Sequence, residues 1–152
     1  ELEKFYNCAD CTINISDAEG FGLTTLESLS CETPILVTMT GGLQEQVTDG
    51  KDNWFGIGVE PSSKTIIGSL QVPWIYEDRI SKEQFIEACE SMVNSSKAAR
   101  RKMGKQGRKH VIDNYGLDKY VETWDKTLEH VHETNGSWES RKNYKNWKLL
   151  EV

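Results

Sequence analysis

Two carboxylates, Glu19 and Glu27, stand eight positions apart across a glycine-bracketed turn, Glu19-Gly20-Phe21-Gly22-Leu23-Thr24-Thr25-Leu26-Glu27. A short strand pattern, Cys11-Thr12-Ile13-Asn14-Ile15-Ser16, runs just ahead of them. Strand, glycine turn and helix start in that order make a cradle for a phosphorylated ligand. The unpaired N–H groups and the positive dipole end of the helix attract anions. Glycine lets backbone and ligand approach closely, because no Cβ intervenes. Glu19 falls at the carboxyl end of the strand and Glu27 about a turn and a half into the helix. Both can therefore face the crevice where open α/β sheets bind ligands.

The elements around this stretch set its position. Residues 2–9 read as a helix end, 11–16 as a parallel strand, and 22–31 as a helix with Leu23, Leu26 and Leu29 inward. Pro34 opens a second buried strand over 35–38, where a missing N–H is tolerated. Gly41-Gly42 makes a turn and Leu43 to Val47 a short helix. Residues 54–59 give a third strand, closed by Pro61. Such strand–helix alternation predicts an α/β fold with a parallel sheet. Pro61, Gly68 and Pro73 interrupt residues 61–80, which read as a packed loop insertion. Ser81 with Gln84 has the spacing of a capping box. Helices follow to residue 133, with Tyr120, Val121, Trp124, Leu128 and Val131 at helical spacing. A polar, aromatic tail occupies 134–152, with Trp138, Tyr144 and Trp147.

The ordered series resembles the E-x7-E motif of retaining glycosyltransferases with the GT-B fold, family 4 in particular. The matching residues are Glu19-Gly20-Phe21-Gly22-Leu23, Glu27, Pro34-Ile35-Leu36-Val37, Gly41-Gly42 and Glu45-Gln46-Val47-Thr48-Asp49-Gly50. Met103-Gly104, Arg108, Tyr115-Gly116 and Trp124 extend the match. The resemblance implies the C-terminal part of a Rossmann-like GT-B domain: a parallel sheet flanked by helices, then a helical C-terminal region. Residues 1–60 would bind the nucleotide-sugar donor, and 81–133 would be C-terminal helices of the same domain. It also implies that the chain is a fragment, partnered by a missing N-terminal GT-B domain that brings the hydroxyl acceptor's half of the cleft.

The same resemblance assigns roles. Glu27 would hold the ribose hydroxyls, since a carboxylate accepts two hydrogen bonds from a vicinal diol. Against this stands a helix-start Glu that merely favours the dipole. Glu19 would position the transferred sugar, in the catalytic centre, or else serve the turn. A nucleophilic role, as in glycoside hydrolysis, is the less favoured reading. The backbone amides of Gly22, Leu23 and Thr24 are candidates for the diphosphate. Thr24 and Thr25 could instead cap the helix. Gly20 would bind the donor from the turn, Phe21 could shape the sugar pocket, and Leu23 could pack on the nucleoside or belong to the core. Gly41 and Gly42 could make only a tight turn. No Asp-x-Asp motif occurs, so no metal site and no cofactor is expected, the nucleotide sugar being a substrate. Two other readings stay open: a phosphorylase or nucleotide-sugar epimerase of the same architecture, and a non-catalytic nucleotide-sugar-binding module.

Composition narrows the partners. The chain has 152 residues and a formal charge of −6, which argues against a nucleic-acid surface. No apolar run reaches the roughly 20 residues that span a bilayer. Arg100, Arg101, Lys102, Lys105, Arg108 and Lys109 form a basic cluster. It is either a solvated helix face or a contact for anionic lipid. His110, His130 and His132 lack ligand spacing. Cys8-x-x-Cys11 has metal or redox spacing but no second pair, so Cys8, Cys11, Cys31 and Cys89 read as small buried apolar residues. Free thiols fit a cytoplasmic location.

Overall fold

The computed structural model describes residues 1–137, 139, 140 and 142. It divides into two compact units, Glu1–Asp113 and the residues from Asn114 onward. In the first unit the order is α1 (Leu2–Cys8), β1 (Thr12–Asn14), α2 (Leu23–Ser30), β2 (Ile35–Thr38), α3 (Leu43–Val47) and β3 (Gly56–Val59). There follow β4 (Ser63–Ser69), β5 (Val72–Arg79), α4 (Lys82–Asn94) and α5 (Lys97–Tyr115), which reaches the boundary.

β1, β2 and β3 form the expected parallel sheet, with β2 central. Ile13 lies opposite Leu36, and Leu36 opposite Ile57. Every residue of β2 is buried, as a central parallel strand covered on both faces requires. Successive side chains alternate between faces. Ile35 and Val37 pack with Leu29 of α2, Leu43 and Val47 of α3, Phe55 and Val111 of α5. Leu36 points the other way, to Val59, Ala88 and Phe85 of α4. Two layers of helix thus enclose the sheet and aim the carboxyl ends of its strands at one rim.

Close approaches depend on glycine. A Cβ on Gly56 would stand 1.8 Å from the Ile35 carbonyl oxygen, and one on Gly104 1.8 Å from that of Glu32. α5 therefore lies directly on the turn after α2. The Arg108 guanidinium donates to the Ser30 carbonyl there. Gly104 and Arg108, part of the family pattern, thus dock a helix. Ser81 and Gln84 form the capping box: Ser81 Oγ accepts the Gln84 N–H at 3.1 Å and Gln84 Oε1 accepts the Ser81 N–H at 3.0 Å.

Residues 61–80 correct the sequence reading. They are not a packed loop but an antiparallel hairpin, β4 with β5, pairing Ile66 with Tyr76 and Ile67 with Ile75. Most of its side chains are exposed. The β-branched and aromatic residues Thr65, Ile66, Ile67, Val72, Trp74, Ile75 and Tyr76 favour strands. In a two-stranded ribbon each strand keeps an open edge, where Pro73 costs little. Gly68 falls at an irregularity in the register between Ile67 and Ser69.

In the second unit α6 runs Leu117–Asn135. The Tyr120 and Trp124 rings meet edge to face with centroids 6.2 Å apart. Trp138, Tyr144 and Trp147 lie outside the described residues. Among the described residues, no helix is long and apolar enough to cross a membrane.

Candidate functional site

The site is built from two loops at the carboxyl ends of β1 and β2. The first leaves β1 through an Asn14 turn, whose Oδ1 accepts the Ser16 N–H at 3.1 Å and the Ser16 hydroxyl at 2.6 Å. It continues through Glu19, half-buried, to Gly22, which opens α2. The second loop is Thr40-Gly41-Gly42, leading into α3.

These loops are joined backbone to backbone. Gly41 has φ +47°, and a Cβ there would sit 1.7 Å from the Glu19 carbonyl oxygen. A Cβ on Gly42 would sit 2.7 Å from the Phe21 carbonyl oxygen. The pair therefore does more than turn the chain: it seats the Glu19–Phe21 backbone. Gly22 has φ +88°, in the left-handed region, and is buried against Leu43.

Gln46 completes the joint. It is fully buried and donates from Nε2 to the Phe21 carbonyl at 2.5 Å. The Thr25 hydroxyl stands 2.5 Å from Gln46 Oε1 and 2.7 Å from the Gly22 carbonyl. Its single proton is shared between these two acceptors. Thr25 is thus a structural residue, facing inward, and it does not cap the helix. Thr24 faces solvent. Sequence reasoning gave Gln46 no role of its own, although Leu43, Gln46 and Val47 share one helix face by their spacing.

No side chain caps the start of α2. The first amides of a helix have no partner within it, so this end can receive an anion. Two apolar side chains flank it, Phe21 at 44% and Leu23 at 67% exposure. The expectation that Leu23 points inward with Leu29 is corrected here. The buried face of α2 runs through Thr25, Ser28 and Leu29, and Leu23, about 200° around the helix from Thr25, falls on the opposite side. Exposure puts Leu23 where an apolar ligand surface could pack on it.

Glu27 lies on the exposed side of α2, and the Tyr6 phenol of α1 donates to its Oε2 at 2.8 Å. Burial and then the Glu27 hydrogen bond raise the Tyr6 pKa, keeping the phenol protonated. Oε1 of Glu27 has no hydrogen-bond partner among the described residues. A carboxylate oriented by one donor still accepts hydroxyl protons on its other lone pairs.

Several other residues singled out by the sequence make local contacts. His110 Nε2 lies 2.9 Å from the Glu45 carbonyl, and its ring lies 4.6 Å from that of Phe55. Within the basic cluster, Arg100 bonds the Ser95 carbonyl and Asp10, and Lys109 pairs with Asp113. Cys11 is half-buried, and burial pushes its thiol up to about 12. Cys8, in contrast, is exposed, which corrects its reading as a buried residue; its place on α1, a helix with no buried residue, accounts for this. No group of three or more His, Cys, Asp or Glu residues is placed to hold a metal among the described residues.

A parallel sheet flanked by helices, with a glycine-seated helix start between two carboxylates, defines a Rossmann-like α/β domain of the GT-B architecture. The family model described as glycosyl transferases group 1 matches residues 1–110, and the chain belongs to that family. Among similar curated proteins, the D-inositol 3-phosphate glycosyltransferase of Acidothermus cellulolyticus is 41% identical over 61 residues, 40% of this chain and 14% of that protein. The protein of the same description from Corynebacterium jeikeium is 42% identical over 62 residues, 41% of this chain and 15% of that protein. The matches therefore span a small part of those relatives' length. Among solved structures, sucrose-phosphate synthase from Thermosynechococcus elongatus superposes with a TM-score of 0.62 at 21% identity. It covers 85% of this chain and 27% of that one, and shows the fold.

Proposed function

We propose that this chain supplies the donor-binding half of a glycosyltransferase, which moves a sugar from a nucleotide-diphosphate sugar to a hydroxyl acceptor with retention of configuration. The observation that carries this reading is the uncapped start of α2, seated on Gly41 and Gly42, with Glu19 before it and Glu27 along it. In this reading Glu27 accepts the ribose hydroxyls through the oxygen that Tyr6 leaves open. The amides of Gly22, Leu23 and Thr24 face the diphosphate, and Glu19 holds the hydroxyls of the transferred sugar beside Gly20 and Phe21.

Leaving-group charge is stabilised by the helix start rather than by a metal. The acceptor half of the cleft comes from a partner N-terminal domain. Alone, these residues bind the nucleotide weakly and transfer nothing. The cysteines, all free, suit work in the cytoplasm. Family membership and the similarity to enzymes described as glycosyltransferases support the reading.

A thermal-shift screen of nucleoside diphosphates and nucleotide sugars on the full-length enzyme tests it. Stabilisation by one nucleotide series, lost in Glu27→Ala, is the expected result. No response to any member of the panel would sink the proposal.

A further inference from the structure

We infer that Arg79 is a positioning residue for the sugar end of this site, acting through Asp17; the inference rests on the donor-site reading above. Asp17 stands two residues ahead of Glu19, in the loop leaving β1. Its backbone carbonyl accepts the Asp78 N–H of β5 at 2.8 Å. Its carboxylate Oδ2 meets Nη1 of Arg79 at 2.9 Å. The last residues of the hairpin therefore hold Asp17 by both main chain and side chain.

Arg79 is itself fixed before it reaches Asp17. Nη2 pairs with Glu77 Oε2 at 3.0 Å, and Nη1 also donates to the Asp78 carbonyl at 3.1 Å. The Arg79 carbonyl accepts the Ser62 N–H at 2.8 Å and the Ser62 hydroxyl at 3.1 Å. A planar guanidinium bridging two carboxylates fixes direction as well as distance. The side chains of Arg79 and Glu77 are 30% and 20% exposed, so solvent screens that pair less than an open surface pair, while Asp17 at 51% is the more open end of the clasp.

The consequence falls on Glu19. Two residues of chain reach at most about 7 Å, so Glu19 cannot move far from the clasp at Asp17. On its other side Gly41 is packed against the Glu19 carbonyl. Glu19 is held between these two anchors, one from β2 and one from the hairpin. Releasing the Arg79 side chain leaves Asp17 on its main-chain bond to Asp78 alone, which loosens the loop and lets the Glu19 carboxylate shift from the sugar.

Steady-state kinetics on the full-length enzyme, with the donor found by the nucleotide screen, test this. Arg79→Ala is expected to lower kcat by about ten- to a hundredfold, the cost of a small misplacement at a reacting centre. Affinity for the free nucleoside diphosphate stays unchanged, because Glu27 and the helix start lie outside the clasp. Arg79→Lys keeps a charge for Asp17 and recovers part of the loss. Hydrogen exchange of the ligand-free protein gives a second readout: amides 17–20 exchange faster in Arg79→Ala. An unaffected kcat, a parallel fall of kcat and nucleotide affinity, or unaltered exchange at 17–20 overturns the role of Arg79 alone. A wild-type enzyme without transferase activity overturns the donor-site reading itself.

Discussion

The Tyr6 hydroxyl donates to Oε2 of Glu27 across 2.8 Å, joining α1 to the middle of α2. The bond fixes which carboxylate oxygen is open to a ligand, and it places a helix that precedes the sheet at the edge of the proposed ribose site.

Glu27→Ala should weaken nucleotide binding by about 1.5–3 kcal/mol, the range for hydrogen bonds to a charged group. Tyr6→Phe should cost less, about 0.5–1.5 kcal/mol, since it removes only the orienting donor. Calorimetric titration of the full-length enzyme measures both. Unchanged affinity in Glu27→Ala removes the ribose role.

The same bond has a pH signature. The Tyr6 pKa is raised in the folded state, first by burial and then by Glu27. A group whose pKa is raised by folding contributes stability that is complete below its unfolded value, near 10, and is lost as pH rises through the folded value. The stability difference between wild type and Tyr6→Phe should therefore shrink above pH 10. Urea unfolding along a pH series up to the alkaline limit checks this; a difference that grows with pH contradicts it.

Glu19→Gln should reduce turnover while leaving affinity for free nucleoside diphosphate intact, because its proposed contact is the sugar. Single-turnover kinetics alongside nucleotide titration separate the two. Equal losses in both, with the fold preserved, would assign Glu19 to the turn.

Gly41→Ala and Gly20→Ala make a matched pair. A Cβ at Gly41 would collide with the Glu19 carbonyl, at a backbone angle that L-residues avoid, whereas nothing lies within 4 Å of one at Gly20. We expect Gly41→Ala to destabilise by about 1–3 kcal/mol, and Gly20→Ala to be tolerated. Chemical denaturation decides it. Equal midpoints for the two variants would mean that the loops are not seated on each other.

Transfer by the full-length enzyme should survive excess EDTA. The helix start is proposed to carry the charge that a metal would otherwise carry. Activity abolished by chelator and restored by manganese or magnesium is the contrary result.

The parallel sheet was legible because its signals are local. Pro34 before an unbroken apolar run announces β2, and the glycine-bracketed turn announces the start of α2. Residues 61–80 misled because Pro73 and Gly68 were read as breaks, when an open-edged ribbon accepts both. Leu23 misled for another reason. Steps of three residues drift by about 60° each, so Leu23 lies about 120° around the helix from Leu29 and off the buried face of Thr25, Ser28 and Leu29. The contacts that organise the site, Tyr6 with Glu27, Gln46 with Phe21, and Asp17 with Arg79, link residues far apart in the chain. Spacing alone could not pair them. Gln46 is an intermediate case, since its helix face was readable but its partners were not.

The seating of Gly41 and Gly42 on Glu19 and Phe21 bears on how such a site can be altered. With a carbonyl lodged where a side chain would be, the two loops cannot be remodelled one at a time. Inserting a residue into either would lift the other from its support. In the proposed donor site, preference is therefore open to change by replacing the exposed side chains of Leu23 and Thr24. Loop-length variation, a common route to new specificity in α/β folds, is closed at this position.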